Sequence, residues 1–453
     1  MESLAAREHS GLLADLYELT MAAGYFQSHF DARATFELFV RKLPAERNFL
    51  VAAGLEQALD FVENIRFAPE EIEFLRRLPV FRHVRSEFFD YLARFRFTGD
   101  VWAVPEGSLV FAGEPLLRIT APIIEGQILE TRLLSAINFQ TMVASRAARL
   151  VAVAKGKPIV EFGARRAHGR EAGIFAARAA WIAGCQGTSN VMAGRLFGIP
   201  TYGTQAHSWI MAYEDESEAF DRFLDTFPEQ ATLLLDTYNV RVALRKIIAR
   251  GRKPAGVRLD SGDLAADSRW VRAQLHRAGW DDVQIFASGD LDEKRISSLL
   301  HHNAKIDAFG VGSALVAPTD ARNLSMIYKL VELERGGKIR EAAKLSESKS
   351  TYPGTKQAFR FVNHAGKWQK DLIALAGESY PTASPLLVPV MHAGKRIAPP
   401  EPLAFARSRC TESLKQLPAR LFSIQHAPPY PVHYSQPLKN LLQKVRRSIH
   451  QRA

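Results

Sequence analysis

Two apolar runs in this chain stop abruptly on a carboxylate: Leu233-Leu234-Leu235-Asp236 and, about one strand–loop–helix spacing later, Val257-Arg258-Leu259-Asp260-Ser261-Gly262-Asp263. A buried parallel strand brings a reactive side chain to the rim of its sheet in this way. The design recurs along the middle of the chain. Pro158-Ile159-Val160 leads into Glu161-Phe162-Gly163-Ala164-Arg165, and Ile199-Pro200-Thr201-Tyr202 into Gly203-Thr204-Gln205-Ala206-His207. Val283 to Ala287 leads into Ser288-Gly289-Asp290, and Ile306 to Phe309 into Gly310-Val311-Gly312-Ser313.

If these ends face one cavity, their chemistry is that of anion handling. Gly289, Gly310, Gly312 and Ser313 can turn backbone N–H groups toward a phosphate; the alternative is tight strand-to-helix turns, where glycine serves steric needs. Asp260 and Asp290 can hold ribose hydroxyls or a Mg²⁺ that carries a pyrophosphate. Asp263 and Asp292 read equally well as helix N-caps. Arg165 and Arg258 suit a bidentate grip on phosphate or carboxylate, whereas Arg166 fits a surface ion pair as readily. His207 is either structural or a nucleophile or acid–base group. No Cys or second His stands at metal-ligand spacing from it.

Positioning these ends requires about six strand–loop–helix repeats from Pro158 to Ala317, the spacing of parallel crossover connections. An open sheet concentrates reactive groups at a switch point, whereas here they occupy every strand. The expectation is therefore α/β: an irregular parallel α/β barrel with the site at its C-terminal mouth, and a second α+β domain built from the N- and C-terminal segments. The N-terminal region, residues 1–125, shows a helical pattern over about 11–29, an alternating strand at Ala34–Val40, a helix over Leu50–Phe61 and short strands from Phe97 to Ala121. A long helix over about 127–155 opens the barrel domain, residues 126–330. Residues 331–453 then read as β-rich, with two hairpins each turning on His-Ala-Gly-Lys, packing on the N-terminal region. They end in an amphipathic basic helix with Lys439, Lys444, Arg446, Arg447 and Arg452 between Leu438, Leu441, Leu442, Val445 and Ile449. The expectation for that helix is an apolar stripe docked on the protein with the basic face in solvent.

With 453 residues the chain exceeds a single ordinary core. Its net charge of +11 is mostly dispersed, and two isolated cysteines, Cys185 and Cys410, support neither a disulfide framework nor a zinc site. The first residues carry no basic flank before an apolar block, and no segment is apolar over a membrane-spanning length, so a cytoplasmic protein without membrane partners is expected. Nucleic acid is not an expected partner either: no zinc-finger, RNA-recognition or basic-zipper pattern occurs, and acidic strand ends repel phosphates.

Seven motifs in order resemble the nicotinate phosphoribosyltransferase family over most of the chain. They are Asp15-Leu16-Tyr17-Glu18-Leu19-Thr20-Met21, Phe36-Glu37-Leu38-Phe39-Val40-Arg41, Glu161 to Arg166, Gly187-Thr188-Ser189-Asn190-Val191, Gly203 to Ser208, Arg258 to Asp263, and Lys344-Leu345-Ser346-Glu347-Ser348-Lys349. The resemblance implies that nicotinate and phosphoribosyl pyrophosphate give nicotinate mononucleotide and pyrophosphate, coupled to ATP hydrolysis, with Mg²⁺ and in a homodimer with shared active sites. It implies that Tyr17 stacks opposite Phe162 on the pyridine ring, and that His207 is phosphorylated from ATP. Arg165, Ser189, Thr204, Gly289, Gly310, Gly312 and Ser313 would contact substrates, and Arg258, Asp260 and Asp290 would act with His207 in catalysis. Nicotinamide-using relatives carry Asp where this chain has Ser189, so like-charge repulsion is absent and the acid is favoured. Many bacterial members carry Glu after the histidine; here Ser208 follows.

Two other enzymes compete with this reading. Quinolinate phosphoribosyltransferase shares the architecture but needs a more basic pocket and no phosphorylated His. A sugar-phosphate aldolase needs a Schiff-base Lys, and no Lys ends any of the strands.

Overall fold

The computed structural model describes residues 8–318, 320–321, 323–346, 350–424 and 427–451. Glu347-Ser348-Lys349 of the last motif and Arg452 of the basic terminus lie outside the described residues. The chain divides into two compact units, one ending at Met142 and resuming at Asn323, the other running from Val143 to Arg322.

The second unit is built on a six-stranded parallel sheet. Its strands are Ile159–Glu161, Gly187–Thr188, Thr232–Leu234, Gly256–Leu259, Gln284–Ala287 and Ala308–Val311. Every neighbour in sequence is a neighbour in the sheet except at one place, and the first strand pairs with the last, Glu161 opposite Val311. The exception falls between Gly187–Thr188 and Thr232–Leu234. There a single parallel bridge, Thr188 to Thr201, extends the sheet by one residue and then stops. The strands form because their residues are apolar on both faces: Ile159, Leu233, Val257, Leu259, Ile285, Phe309 and Val311 are at most 1% exposed.

Four helices of this unit start from a polar cap that also ends a strand loop. Asn190 accepts from Ala193 N–H, Asn239 from Arg241 and Val242 N–H, Asp263 from Ala265 and Ala266 N–H, and Asp292 from Arg295 N–H. Asp263 and Asp292 are thus N-caps, satisfying N–H groups that have no partner within the helix. Helix Glu130–Val153 contributes buried Arg146, whose guanidinium bridges Glu293 and Asp320 at 2.6 and 2.8 Å. This fixes the first turn of the helix that follows Gly289-Asp290.

The first unit holds a seven-stranded antiparallel sheet that mixes both ends of the chain. In spatial order it runs Lys338–Glu341, Met326–Arg335, Arg33–Val40, Pro115–Pro122, Asp100–Ala103, Val388–His392 and Lys395–Arg396. The alternation expected of Ala34–Val40 does not hold for the strand Arg33–Val40. Instead it is buried over most of its length, because it is central in the sheet and its polar Glu37 is held by Lys356 Nζ at 2.8 Å. A second sheet joins Ala383–Pro385, Lys356–Val362, Trp368–Leu375 and Val432–Tyr434. Both expected hairpins form, Lys356–Val362 with Trp368–Leu375 and Val388–His392 with Lys395–Arg396.

Three boundaries differ from periodicity. The first helix is Leu16–Gln27, because Asp15 and Glu18 make a capping box that starts it there. Leu50–Val51 is a short strand paired with Leu109–Val110, and the helix begins at Leu55, where the Glu106 carboxylate accepts from Gly54 and Leu55 N–H. The long helix is Glu130–Val153. The terminal basic helix, Gln436–His450, docks by Leu438, Leu442 and Val445, which are buried, while Lys439, Lys444 and Arg447 stay exposed.

Candidate active site

The C-terminal ends of the parallel strands are tied to one another by side chains as well as by backbone. Glu161 accepts from the Thr188 hydroxyl at 2.5 Å and from Gly163 N–H, joining the first strand to the second. Asp236 Oδ2 accepts from Asp260 N–H at 3.1 Å and from the Ser261 hydroxyl at 2.5 Å, joining the third to the fourth. Asp260 Oδ1 accepts from the Ser288 hydroxyl at 2.5 Å, joining the fourth to the fifth. Each tie uses a buried or half-buried acceptor, so the loops it joins are held in place.

Inside these ties lies a cavity of about 240 Å³ lined by Phe162, Arg165, Ser189, Gly203, Thr204, Gln205, Ala206, His207, Leu234, Arg258 and Asp260. Arg258 is its electrostatic centre. Nε donates to Ser288 at 2.8 Å, Nη1 to the Thr204 hydroxyl at 2.9 Å and the Gln205 carbonyl at 3.2 Å, and Nη2 to Asp260 Oδ1 at 2.6 Å. All three of its nitrogens are engaged by the protein. Arg165 is exposed on the Ala164–Arg166 turn and keeps its guanidinium for a ligand or solvent.

His207 opens the short helix His207–Met211. Its Nδ1 lies 3.2 Å from the Thr237 hydroxyl and its Nε2 3.8 Å from Asp260 Oδ2. Partial burial alone would raise the Asp260 carboxyl, but the Ser288 hydrogen bond and the Arg258 charge outweigh it and hold the group below its ordinary value. A carboxylate kept ionised thus faces one imidazole nitrogen, and a hydroxyl faces the other. Glu161 is the opposite case: burial pushes its carboxyl up, against the hydrogen bonds from Thr188 and Gly163.

Phe162 forms one wall, its ring 5.5 Å from that of Phe286 and 5.8 Å from the Arg258 guanidinium. A Cβ at Gly310 would fall 2.7 Å from the Phe162 ring and 2.8 Å from Phe286, so Gly310 makes room for the pair. Gly289 has φ +89, and a Cβ there would stand 1.7 Å from the Asp260 carbonyl oxygen, so it permits the fifth strand's loop to close on Asp260.

Family models cover most of the chain: the nicotinate phosphoribosyltransferase N-terminal domain matches residues 12–138, the family's main region 158–363 and its C-terminal domain 379–442. This chain belongs to the nicotinate phosphoribosyltransferase family. Among similar proteins, nicotinate phosphoribosyltransferase pncB2 of Mycobacterium tuberculosis is 43% identical over 98% of this chain and 96% of its own length. The nicotinate phosphoribosyltransferase of Bacillus subtilis is 39% identical over 81% of this chain and 76% of its own. The crystal structure of human nicotinic acid phosphoribosyltransferase superposes with a TM-score of 0.83 at 28% identity, covering 95% of this chain and 99% of that one.

Within this member of the family the structure gathers Phe162, Arg165, Ser189, Thr204, His207, Arg258 and Asp260 around one cavity. Gly289 and Gly310 stand behind that wall. Asp290 is exposed at φ +47, and Gly312 starts the short helix Ser313–Val316; these residues do not line the cavity. Tyr17 belongs to the first unit, 44% exposed on helix Leu16–Gln27, where burial and then Glu130 push its phenol up. Gln205, Thr237, Ser288 and Glu161 hold the site together, yet none was singled out as a site residue. All four lie inside or directly beside the strand-end runs, and that adjacency is the available signal. Among the described residues no cluster of three or more His, Cys, Asp or Glu could hold a metal, and no helix is long and apolar enough to cross a membrane.

Proposed function

We propose that this chain is an ATP-coupled nicotinate phosphoribosyltransferase. It would convert nicotinate and phosphoribosyl pyrophosphate to nicotinate mononucleotide and pyrophosphate, a salvage step in NAD biosynthesis. The observation that carries the reading is the Arg258–Asp260–His207 series facing Phe162 and Arg165 in one cavity.

The pyridine ring stacks on Phe162 in offset geometry, and exposed Arg165 takes the nicotinate carboxylate. Arg258, fully engaged by Ser288, Thr204, Gln205 and Asp260, acts by presenting Asp260 to the ribose rather than by leaving its partners. As pyrophosphate leaves C1, positive charge develops on the sugar, and a carboxylate held ionised beside it stabilises that charge. The nicotinate nitrogen then attacks C1. Gly289, Gly310, Gly312 and Ser313 support the loops that receive phosphate.

Mg²⁺ needs no dedicated cage, since it binds through one or two carboxylates together with substrate phosphates. Asp260 Oδ2, which lies 3.8 Å from His207 Nε2, and exposed Asp290 fit that role. Bound there, the ion would neutralise the departing pyrophosphate.

His207 is the phosphate acceptor from ATP in this reading. An imidazole flanked by the Thr237 hydroxyl and a carboxylate has one nitrogen oriented and the other kept nucleophilic, which supports the assignment.

The sheet is read as an incomplete barrel, supported by the first strand lying beside the last. A homodimer is supported by apolar side chains left exposed: Leu13, Leu16, Tyr17 and Met21 in the first unit, and Val191, Met192, Leu196 and Met211 in the second. Tyr17 of the partner subunit would complete the stack opposite Phe162. The whole reading is tested by incubating the protein with nicotinate, phosphoribosyl pyrophosphate and Mg²⁺, with and without ATP, and following nicotinate mononucleotide. His207→Ala is expected to abolish the ATP stimulation and the acid-labile phosphate on the protein; stimulation that survives removes the phosphohistidine.

A further inference from the structure

The parallel ladder has one gap. Backbone pairing passes from the bridge at Thr201 through the strands in turn to Thr232–Leu234, and among the described residues none links Thr232–Leu234 back to the Thr201 segment. An edge strand of a buried parallel sheet leaves N–H groups that must find another partner. Gln205, 4% exposed, occupies this gap. Its Oε1 accepts from Leu234 N–H at 3.3 Å, as the carbonyl of a neighbouring strand would. Its own carbonyl accepts from Arg258 Nη1 at 3.2 Å.

A carboxamide is the side-chain group that reproduces a peptide's acceptor without bringing charge. A carboxylate here would face burial, and a hydroxyl would not reach. Two residues on, His207 is tied to the same chain segment, since Nδ1 meets the hydroxyl of Thr237, three residues beyond Leu234. The loop carrying the imidazole therefore has two anchors on one strand end, with the Arg258 guanidinium closing the third side through Thr204 and the Gln205 carbonyl.

We infer that Gln205 is a positioning residue: its carboxamide replaces the missing ladder between the Thr201 segment and Thr232–Leu234, and so sets where His207 stands relative to Asp260. The catalytic consequence rests on the proposed function; the structural one does not. The orphan Gln205 Nε2, buried with no partner, fits this account, because the acceptor oxygen alone makes the clasp.

Gln205→Met, near in length but without an acceptor, and the milder Gln205→Asn, too short to reach, test it. Amide exchange at Leu234 and carbethoxylation of His207, both read on peptides by mass spectrometry, are expected to quicken at least about fivefold. Exchange at Val257–Leu259 and Ile159–Glu161 should stay as in the wild type. In turnover with nicotinate, kcat is expected to fall about tenfold to hundredfold, the scale of an ångström-level misplacement, with KM within about threefold. Unchanged Leu234 exchange in both variants overturns the inference, as does a rise spread evenly over the sheet, which marks general loosening. A wild-type protein that forms no nicotinate mononucleotide would count against the proposed function, while the exchange result still decides the clasp.

Discussion

Nε2 of His207 stands 3.8 Å from Oδ2 of Asp260, and the other oxygen of that carboxylate is held by Arg258 and Ser288. One carboxyl group thus divides its two oxygens between a fixed protein anchor and a face open to chemistry. Orientation comes from the first; in the proposed mechanism the second meets the substrate.

Asp260→Asn keeps the shape and removes the charge. In the proposed mechanism that charge faces both the imidazole and the developing positive charge on the sugar, so its loss is expected to lower kcat/KM by about 10²–10⁴-fold. Because the folded-state carboxyl lies below its ordinary value, its contribution to stability is present above about pH 4 and is lost as pH falls through the depressed value. The gap in Tm between wild type and Asp260→Asn should therefore close only in acid. A gap that persists unchanged to pH 2 would show that the charge is not what the fold uses.

Strand ends were legible here because a parallel strand buried on both faces reads as an uninterrupted apolar run, so its last residue is easy to mark. What such a run does not encode is which of several nearby carboxylates faces inward. Asp260 and Asp263 sit three residues apart in one motif, yet the first meets Arg258 and the second caps a helix. Asp290 and Asp292 repeat the ambiguity, with Asp292 the cap. Thr237 is not marked by the sequence, because its role depends on a loop thirty residues earlier folding back onto it, a contact that local periodicity cannot carry. The first helix begins at Leu16 instead of near residue 11 for a local reason, since Asp15 and Glu18 satisfy the helix N-terminus between them.

Gly289→Ala carries a prediction about the same carboxylate. At φ +89, with a carbonyl oxygen 1.7 Å from the new Cβ, the alanine is strained and must push Asp260's backbone away. Stability is expected to fall on the order of 1–3 kcal/mol by urea unfolding. Activity should fall further than stability explains at a temperature where the variant is fully folded. An active variant with an unchanged urea midpoint would mean that the loop accommodates a side chain.

Glu18 predicts a pH effect in the first unit. Its Oε1 accepts from Asp15 and Thr131 N–H at 3.2 Å each, and its Oε2 is buried without a partner. Burial pushes the carboxyl up to about 7, with the hydrogen bonds from Thr131 and Asp15 opposing and the charge of Glu130 adding to the rise. The folded chain therefore keeps a proton that the unfolded chain has released, so stability declines as pH rises from about 5 and the full penalty is reached near pH 8. Glu18→Gln retains the acceptor and removes the titration. Relative to wild type it should gain on the order of 1–3 kcal/mol between pH 5 and pH 8 in urea unfolding. A difference that is the same at both pH values would refute the assignment.

Ser189 bears on substrate choice. It is exposed on the cavity wall, and its backbone N–H is fixed to the Glu161 carbonyl at 2.9 Å, so a replacement side chain enters the same space. Ser189→Asp places a carboxylate where an anionic pyridine acid must come. Like-charge repulsion in a partly desolvated pocket is expected to raise KM for nicotinate by about tenfold or more, equivalent to about 1.4 kcal/mol. A neutral pyridine amide meets no such repulsion, and the new acceptor can take its N–H. The ratio of kcat/KM for the acid over the amide should fall accordingly, measured with both substrates at fixed phosphoribosyl pyrophosphate. An unchanged ratio would place the nicotinate carboxylate away from Ser189, elsewhere along the wall that Arg165 shares.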